Sequence, residues 1–291
     1  GSLIRSKSAY KYIAARALRI YPALLIAVLF TVFILGPLIT QVTLAEYFSK
    51  QTFIYFFKNS TLLGGVEFNL PGVFEEVPWK NAVNGSLWTL PYEVKMYAYL
   101  LIIFLCYRFL GNIGFPRFYL TITLERAIAL LALFSLLLHL LNHIYFHRFD
   151  DFIRLFSFFF VGSFFYLYSS HIKMYRSIFA LCATLFVLCA LAVMWLGANK
   201  NIFMVVYILT LPYIVFYLAY LPKGKIRCFN KVGDYSYGIY IYAFPIQQMS
   251  AKLIPEISVF QMLLISGAFT LLFAFASWHL IEKKALKFKP F

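Results

Sequence analysis

The chain is 291 residues long, 63% hydrophobic and 21% aromatic, with 13% charged residues and a mean hydropathy of +0.80. A soluble domain would be nearer half apolar and about a quarter charged, so composition excludes an ordinary soluble enzyme. A net charge of +15 would suggest nucleic-acid binding in a soluble chain. Here the apolar residues fall into blocks of about 20, the length that crosses ~30 Å of hydrocarbon as a helix. The expectation is an all-α, polytopic transmembrane helical bundle with membrane lipids around it and no nucleic-acid partner.

In chain order, eight spans are expected near 18–38, 86–107, 122–142, 152–169, 177–197, 202–221, 235–253 and 259–281. If the segment before the first span is cytoplasmic, most of the 26 Lys and Arg fall on that side. They include Arg5, Lys7, Lys11, Arg16, Arg19, Arg108, Arg117, Arg126, Lys223, Lys225, Arg227, Lys231, Lys283 and Lys284. The positive-inside rule then puts both termini in the cytoplasm, and the basicity reads as a topology signal. The opening "GSLIRSKSAYKYIAARALRIYP" has neither initiator Met nor signal peptide. It reads as a connector between two spans, so a preceding segment is expected.

Residues 39–85 form the long connection, expected on the outer side. It carries Glu46, Glu67, Glu75 and Glu76 among Gly, Pro and Asn turn signals. A connection of this length in a compact protein is usually a lid or binding surface. Asn59 and Asn84 each begin an N-x-S/T triplet there, which matters only in a glycosylating pathway. No repeat or low-complexity tract appears, so residues 1–291 read as a single membrane domain. Cys182 and Cys189 share a helix about 10 Å apart along its axis, too far for a disulfide. Cys106 lies in a span and Cys228 in a loop.

The second span, within "NGSLWTLPYEVKMYAYLLIIF" (84–104), holds Glu93, Lys95 and Pro91. The other acids lie in loops or at span ends. A carboxylate in hydrocarbon is costly and marks a site or pathway by default. Ser86, Leu90, Glu93, Tyr97 and Leu100 share one helix face by their three- and four-residue spacing. Pro91 cannot donate to the Leu87 carbonyl, so a bend or opening is expected just before Glu93. Lys95 is about 200° round the helix and cannot simply neutralise Glu93. A structural carboxylate bonded to a neighbouring helix is the alternative. His139, His143 and His147 recur at a spacing that can hold Zn, but no carboxylate or Cys completes the set and no metal is expected. His171 and His279 read as interfacial.

"GSLWTLPYE" closely resembles the G-x-L-W-S-L-x-x-E signature of the acyltransferase-3 family of integral membrane acyltransferases. "ARALRIYPALL" (15–25) is similar to its R-x-x-R-I-x-P entry to a span. "GDYSYGIYIYAFPIQQ" (233–248) is similar to its S-Y-x-x-Y-x-x-x-x-P segment, and "SWHLIEKKALKFK" (277–289) to its closing S-W-x-x-I-E-K tail. The resemblance covers essentially the whole chain. It implies an O-acyltransferase that moves an acyl group, usually acetyl, from acyl-CoA to a hydroxyl of a polysaccharide or glycolipid sugar. No permanently bound cofactor is implied, and the location implied is the bacterial cytoplasmic membrane. Glu93 would be catalytic, and Arg16 and Arg19 would hold the donor's phosphates. Ser86, Trp88, Tyr97, Tyr237 and Tyr240 would face acceptor or acyl group, and Gln248 could bond one of them.

Two departures stand out. The family's first span carries an Arg with a His eleven positions later, and no Arg here has a His at that offset. Many members also have His where this chain has Ala243. The first departure suits a chain that starts after the first span and most of the second, with about ten spans when complete and little activity from this chain alone. In the complete protein that His would be the general base and Glu93 would orient it. Outside this reading, a proton- or ion-coupled transporter with Glu93 as coupling site and a non-catalytic glycolipid binder are the rivals.

Overall fold

The computed structural model describes residues 3, 8–112, 123–222, 224 and 232–290. The basic residues Arg5, Lys7, Arg117, Lys223, Lys225, Arg227 and Lys231, and Cys228, lie outside these. Among the described residues the secondary structure is helical throughout, with no strand.

Helix α1 (Ala9–Phe30) starts on Ser8, whose side chain accepts from the Lys11 amide, and continues through a wide π turn (Thr31–Leu35) to Ile39. Two short helices follow, α2 (Leu44–Tyr47) and α3 (Lys50–Thr61). A 3₁₀ turn (Gly85–Thr89) leads into α4 (Leu90–Asn112). Then come α5 (Leu124–Leu141), α6 (Asp150–Leu167), α7 (Arg176–Leu196), α8 (Lys200–Tyr220), α9 (Ser236–Leu253) and α10 (Val259–Ser277). A second π turn, Trp278–Glu282, extends α10.

Each expected span is a helix. Among the described residues six stretches are long and apolar enough to cross a membrane: Ala9–Ile39, Gly85–Phe109, Leu124–Phe146, Arg176–Leu196, Lys200–Tyr220 and Val259–Phe288. The remaining two, α6 and α9, fall short for visible reasons. Helix α6 opens with Asp150, Asp151 and Arg154, and α9 carries Gln247, Gln248, Ser250 and Lys252. Leu181, Leu185 and Leu188 of α7 are exposed, and that helix has no buried residue, as suits a face covered by lipid.

The chain forms two compact units. One contains residues 99–231, built on Ile128, Ala132, Phe160 and Val161 of α5 and α6. In it His139 Nδ1 lies 3.0 Å from Ser157 Oγ.

The other unit joins residues 2–98 to 232–291. Its core draws Ile20, Leu24 and Val28 from α1, Leu87 and Leu90 from the turn into α4, and Ile241 from α9. Leu70, Val73, Phe74, Val77 and Val83 of the long connection join the same core. That connection is therefore packed into the unit rather than lying over it. Polar ties fix it as well: the Asn59 amide and the Glu67 backbone bond reciprocally at 2.8 and 2.9 Å, and Asn84 Nδ2 donates to the Ile241 carbonyl at 2.8 Å. Asn59 and Asn84 are both buried, which closes both triplets to glycosylation in the folded state. At Gly238 a Cβ would sit 2.7 Å from Ala274 Cα, so α9 and α10 meet backbone against backbone.

Candidate active site

Pro91 acts differently from the expectation. The chain is 3₁₀ up to Thr89 and α-helical from Leu90, so Pro91 occupies the first turn of α4. There its missing N–H has no intrahelical partner to lose and its fixed φ suits the helix. Glu93 consequently lies in the first turn too. Unpaired amides and the positive end of the helix dipole favour a carboxylate at that position.

From there a chain of contacts runs to α1. The Tyr97 hydroxyl, one turn beyond Glu93, donates to Glu93 Oε1. Arg16 Nη1 reaches the same hydroxyl at 3.5 Å, and the guanidinium lies 5.0 Å from the Tyr97 ring and 5.8 Å from the Tyr12 ring. Tyr12 packs edge-on against Tyr97 with centroids 6.3 Å apart and donates to its backbone carbonyl at 3.4 Å. Two residues predicted for separate tasks, Arg16 and Glu93, therefore share one phenol.

Arg19, one turn further along α1, is held by two carboxylates. Its Nη2 is 2.6 Å from Asp234 Oδ2 and its Nη1 is 3.8 Å from Glu282 Oε2. Glu282 is 2% exposed and also accepts from Ser277 Oγ at 2.8 Å. The π turn Trp278–Glu282 carries this carboxylate inward, and such turns recur at functional sites. Asp234 is more open. Burial raises its carboxyl pKa, but hydrogen bonds from Ser236 and the charge of Arg19 outweigh it and leave the pKa below the ordinary value. Lys289 completes this end: partial burial and the charges of Arg16 and Arg19 hold its ammonium below the usual lysine value.

The remaining predicted residues have structural partners. The Tyr237 hydroxyl donates to the Ile20 carbonyl at 2.9 Å. The Tyr240 hydroxyl lies 2.7 Å from Thr89 Oγ1 and donates to the Ser86 carbonyl. Gln248, which could have bonded acceptor or acyl group, donates through Nε2 to the Trp79 and Ala82 carbonyls, each at 2.7 Å. Ser86 and Trp88 line a cavity of about 610 Å³ at the connection's end of this unit. His279 is paired with the Tyr235 hydroxyl at 3.2 Å.

All four stretches that resemble the acyltransferase signatures meet here: Arg16 and Arg19 from the first, Glu93 and Tyr97 in and just past the second, Asp234 from the third and Glu282 from the fourth. Residues 1–279 match the family model described as "Acyltransferase domain". The chain belongs to this acyltransferase family. It is similar to an O-acetyl transferase of Shigella phage Sf6, at 28% identity over 98% of this chain and 80% of that protein. No solved structure matches the chain. Family membership, together with the six apolar helices, makes it an integral membrane enzyme that transfers acyl groups. The transporter reading is thereby set aside.

Asp234, Glu282, Tyr12 and Lys289 were not singled out from the sequence. Asp234, Glu282 and Lys289 stood inside the quoted stretches, and that was the signal available.

Proposed function

We propose that the enzyme transfers an acetyl group from acetyl-CoA to a sugar hydroxyl of a polysaccharide or glycolipid in a bacterial cytoplasmic membrane. The observation that carries this reading is the line Arg16–Tyr97–Glu93, a cation and a carboxylate joined through one phenol on two apolar helices. The O-acetyl transferase name of the Shigella phage relative supports the O-acetyl part and the bacterial setting.

In the reaction the acceptor oxygen attacks the thioester carbonyl, a C–O bond forms and the C–S bond breaks. The hydroxyl proton passes to the general base that Glu93 orients and is then returned to the CoA sulfur. Arg16 and Lys289 attract the donor's phosphates. Arg19 joins them when a phosphate oxygen replaces Asp234, whose side chain is 48% exposed. Bidentate guanidinium contacts suit phosphate geometry.

The test is Glu93→Gln, which keeps shape and removes the charge. Membrane insertion should persist while CoA release falls by about 10²–10⁴, the scale of a lost acid–base partner. Turnover near that of the parent would take Glu93 out of the mechanism.

A further inference from the structure

The cavity of about 610 Å³ at the connection's end has a composition that the donor chemistry does not explain. Trp79, Lys80, Asn81, Ser86, Trp88 and Phe244 are among its walls. Its size lies within the ~300–1,000 Å³ of small-molecule sites, which combine apolar and aromatic walls with a few placed polar groups.

Its walls are fixed from behind. Gln248, 5% exposed, holds the Trp79 and Ala82 carbonyls from α9. The Asn81 amide donates to the Phe74 carbonyl at 3.1 Å, with Asn81 at φ 56°. Gly85 lies so near Phe244 that a Cβ would meet the ring at 2.7 Å. Against this fixed frame Trp79 is 67% exposed. A large indole left open on a tied backbone is a platform, because aromatic faces bind apolar faces while their rims stay wet.

The contents point to a sugar. A pyranose ring has an apolar C–H face for an indole and a rim of hydroxyls for Lys80, Asn81 and Ser86. A hydrocarbon tail would leave those polar groups unused. Position agrees as well. Trp88 precedes Glu93 by five residues, roughly 8 Å of rise through the end of the 3₁₀ turn and the first turn of α4. Asp234 and Arg19 lie at the opposite end of α9, whose Tyr237 and Gln248 are roughly 16 Å apart by the same rise. Donor and acceptor would then reach Glu93 from opposite ends of this unit.

We infer that this cavity seats a glycan segment, the acceptor of the proposed transfer, with one ring stacked on Trp79 and its rim on Lys80 and Asn81. The inference rests on the acyl-transfer reading, so its test must separate the two. The full chain in detergent is applied to an array of bacterial oligosaccharides, and steady-state transfer from acetyl-CoA is measured to any glycan retained. Retention should be selective. Trp79→Ala should raise acceptor KM ten-fold or more, the equivalent of about 1.4 kcal/mol, with donor KM and thermal midpoint unchanged. Trp79→Phe should fall between. Because the Trp79 side chain is exposed and only its carbonyl is tied, truncation leaves the frame standing. No retained glycan, or retention and acceptor KM indifferent to Trp79→Ala, overturns the cavity assignment. Retention that depends on Trp79 without CoA release on any glycan would sustain the cavity and sink the reaction.

Discussion

Tyr97→Phe removes one oxygen and little else, which makes it the sharpest probe of the relay. The lost hydroxyl is the donor to Glu93 Oε1 and the group that Arg16 Nη1 reaches at 3.5 Å. The ring stays, so the edge contact with Tyr12 and the guanidinium at 5.0 Å both survive. A hydrogen bond to a charged group contributes about 1.5–3 kcal/mol. If that bond aims the Glu93 carboxylate during proton transfer, its loss should appear in kcat as a fall of roughly 10- to 150-fold, since 1.4 kcal/mol is one decade. Donor KM should move little, because the cation remains in place. The assay is thiol release from acetyl-CoA by the purified membrane protein, with the thermal midpoint recorded in parallel. A kcat within a factor of two of the parent, at equal stability, would show that Glu93 works without the phenol and would refute the relay.

Further expectations follow from single contacts. Asp234→Asn should lower donor KM several-fold by freeing Arg19 for phosphate, with a stability loss within the ~0–1 kcal/mol of half-exposed ion pairs; an unchanged KM would remove Arg19 from donor binding. Gln248→Ala deletes both bonds to the Trp79 and Ala82 carbonyls, so hydrogen exchange should quicken over residues 74–84 before it does in α1. Lys289 is held below the usual lysine value of 10.5 and loses its charge early as pH rises, so donor KM should climb before pH 10.5. Lys289→Arg should abolish that climb, and a climb of equal size in the variant would place the titration elsewhere.

Glu93 was legible because an acid inside an apolar run carries a cost that demands a reason, and Tyr97 followed from its i+4 spacing. What Pro91 does was not, because a 3₁₀ turn and an α-helix read alike in sequence. Placing the helix start at Leu90 turns Pro91 from a helix breaker into a first-turn residue. The spans were legible as apolar blocks, although α6 and α9 show how a few polar residues blur that signal. Asp234 and Glu282 passed unnoticed for the opposite reason to Glu93. At the end of a span an acid is ordinary, and only the fold reveals that both point at Arg19 from far along the chain. For Gln248 depth in a helix left a substrate and a structural partner equally open, and two backbone carbonyls of the long connection accept from its Nε2.

The pairings also change how the two arginines should be weighed. By spacing alone they are equivalent, one turn apart on the same helix. Arg16 lies against the Tyr12 and Tyr97 rings and reaches the phenol that donates to Glu93, with the charge of Lys289 nearby. Arg19 faces Asp234 and Glu282, so its own surroundings are net negative. A half-exposed pair such as Arg19–Asp234 contributes no more than about 1 kcal/mol, little enough for an incoming phosphate to displace it. Glu282 is buried and has Ser277 as a partner, so it stays when the donor binds; Asp234 is the carboxylate that can give way. Arg19 is then first a clamp that joins α1 to the ends of α9 and α10, and becomes a phosphate ligand only after Asp234 has moved aside.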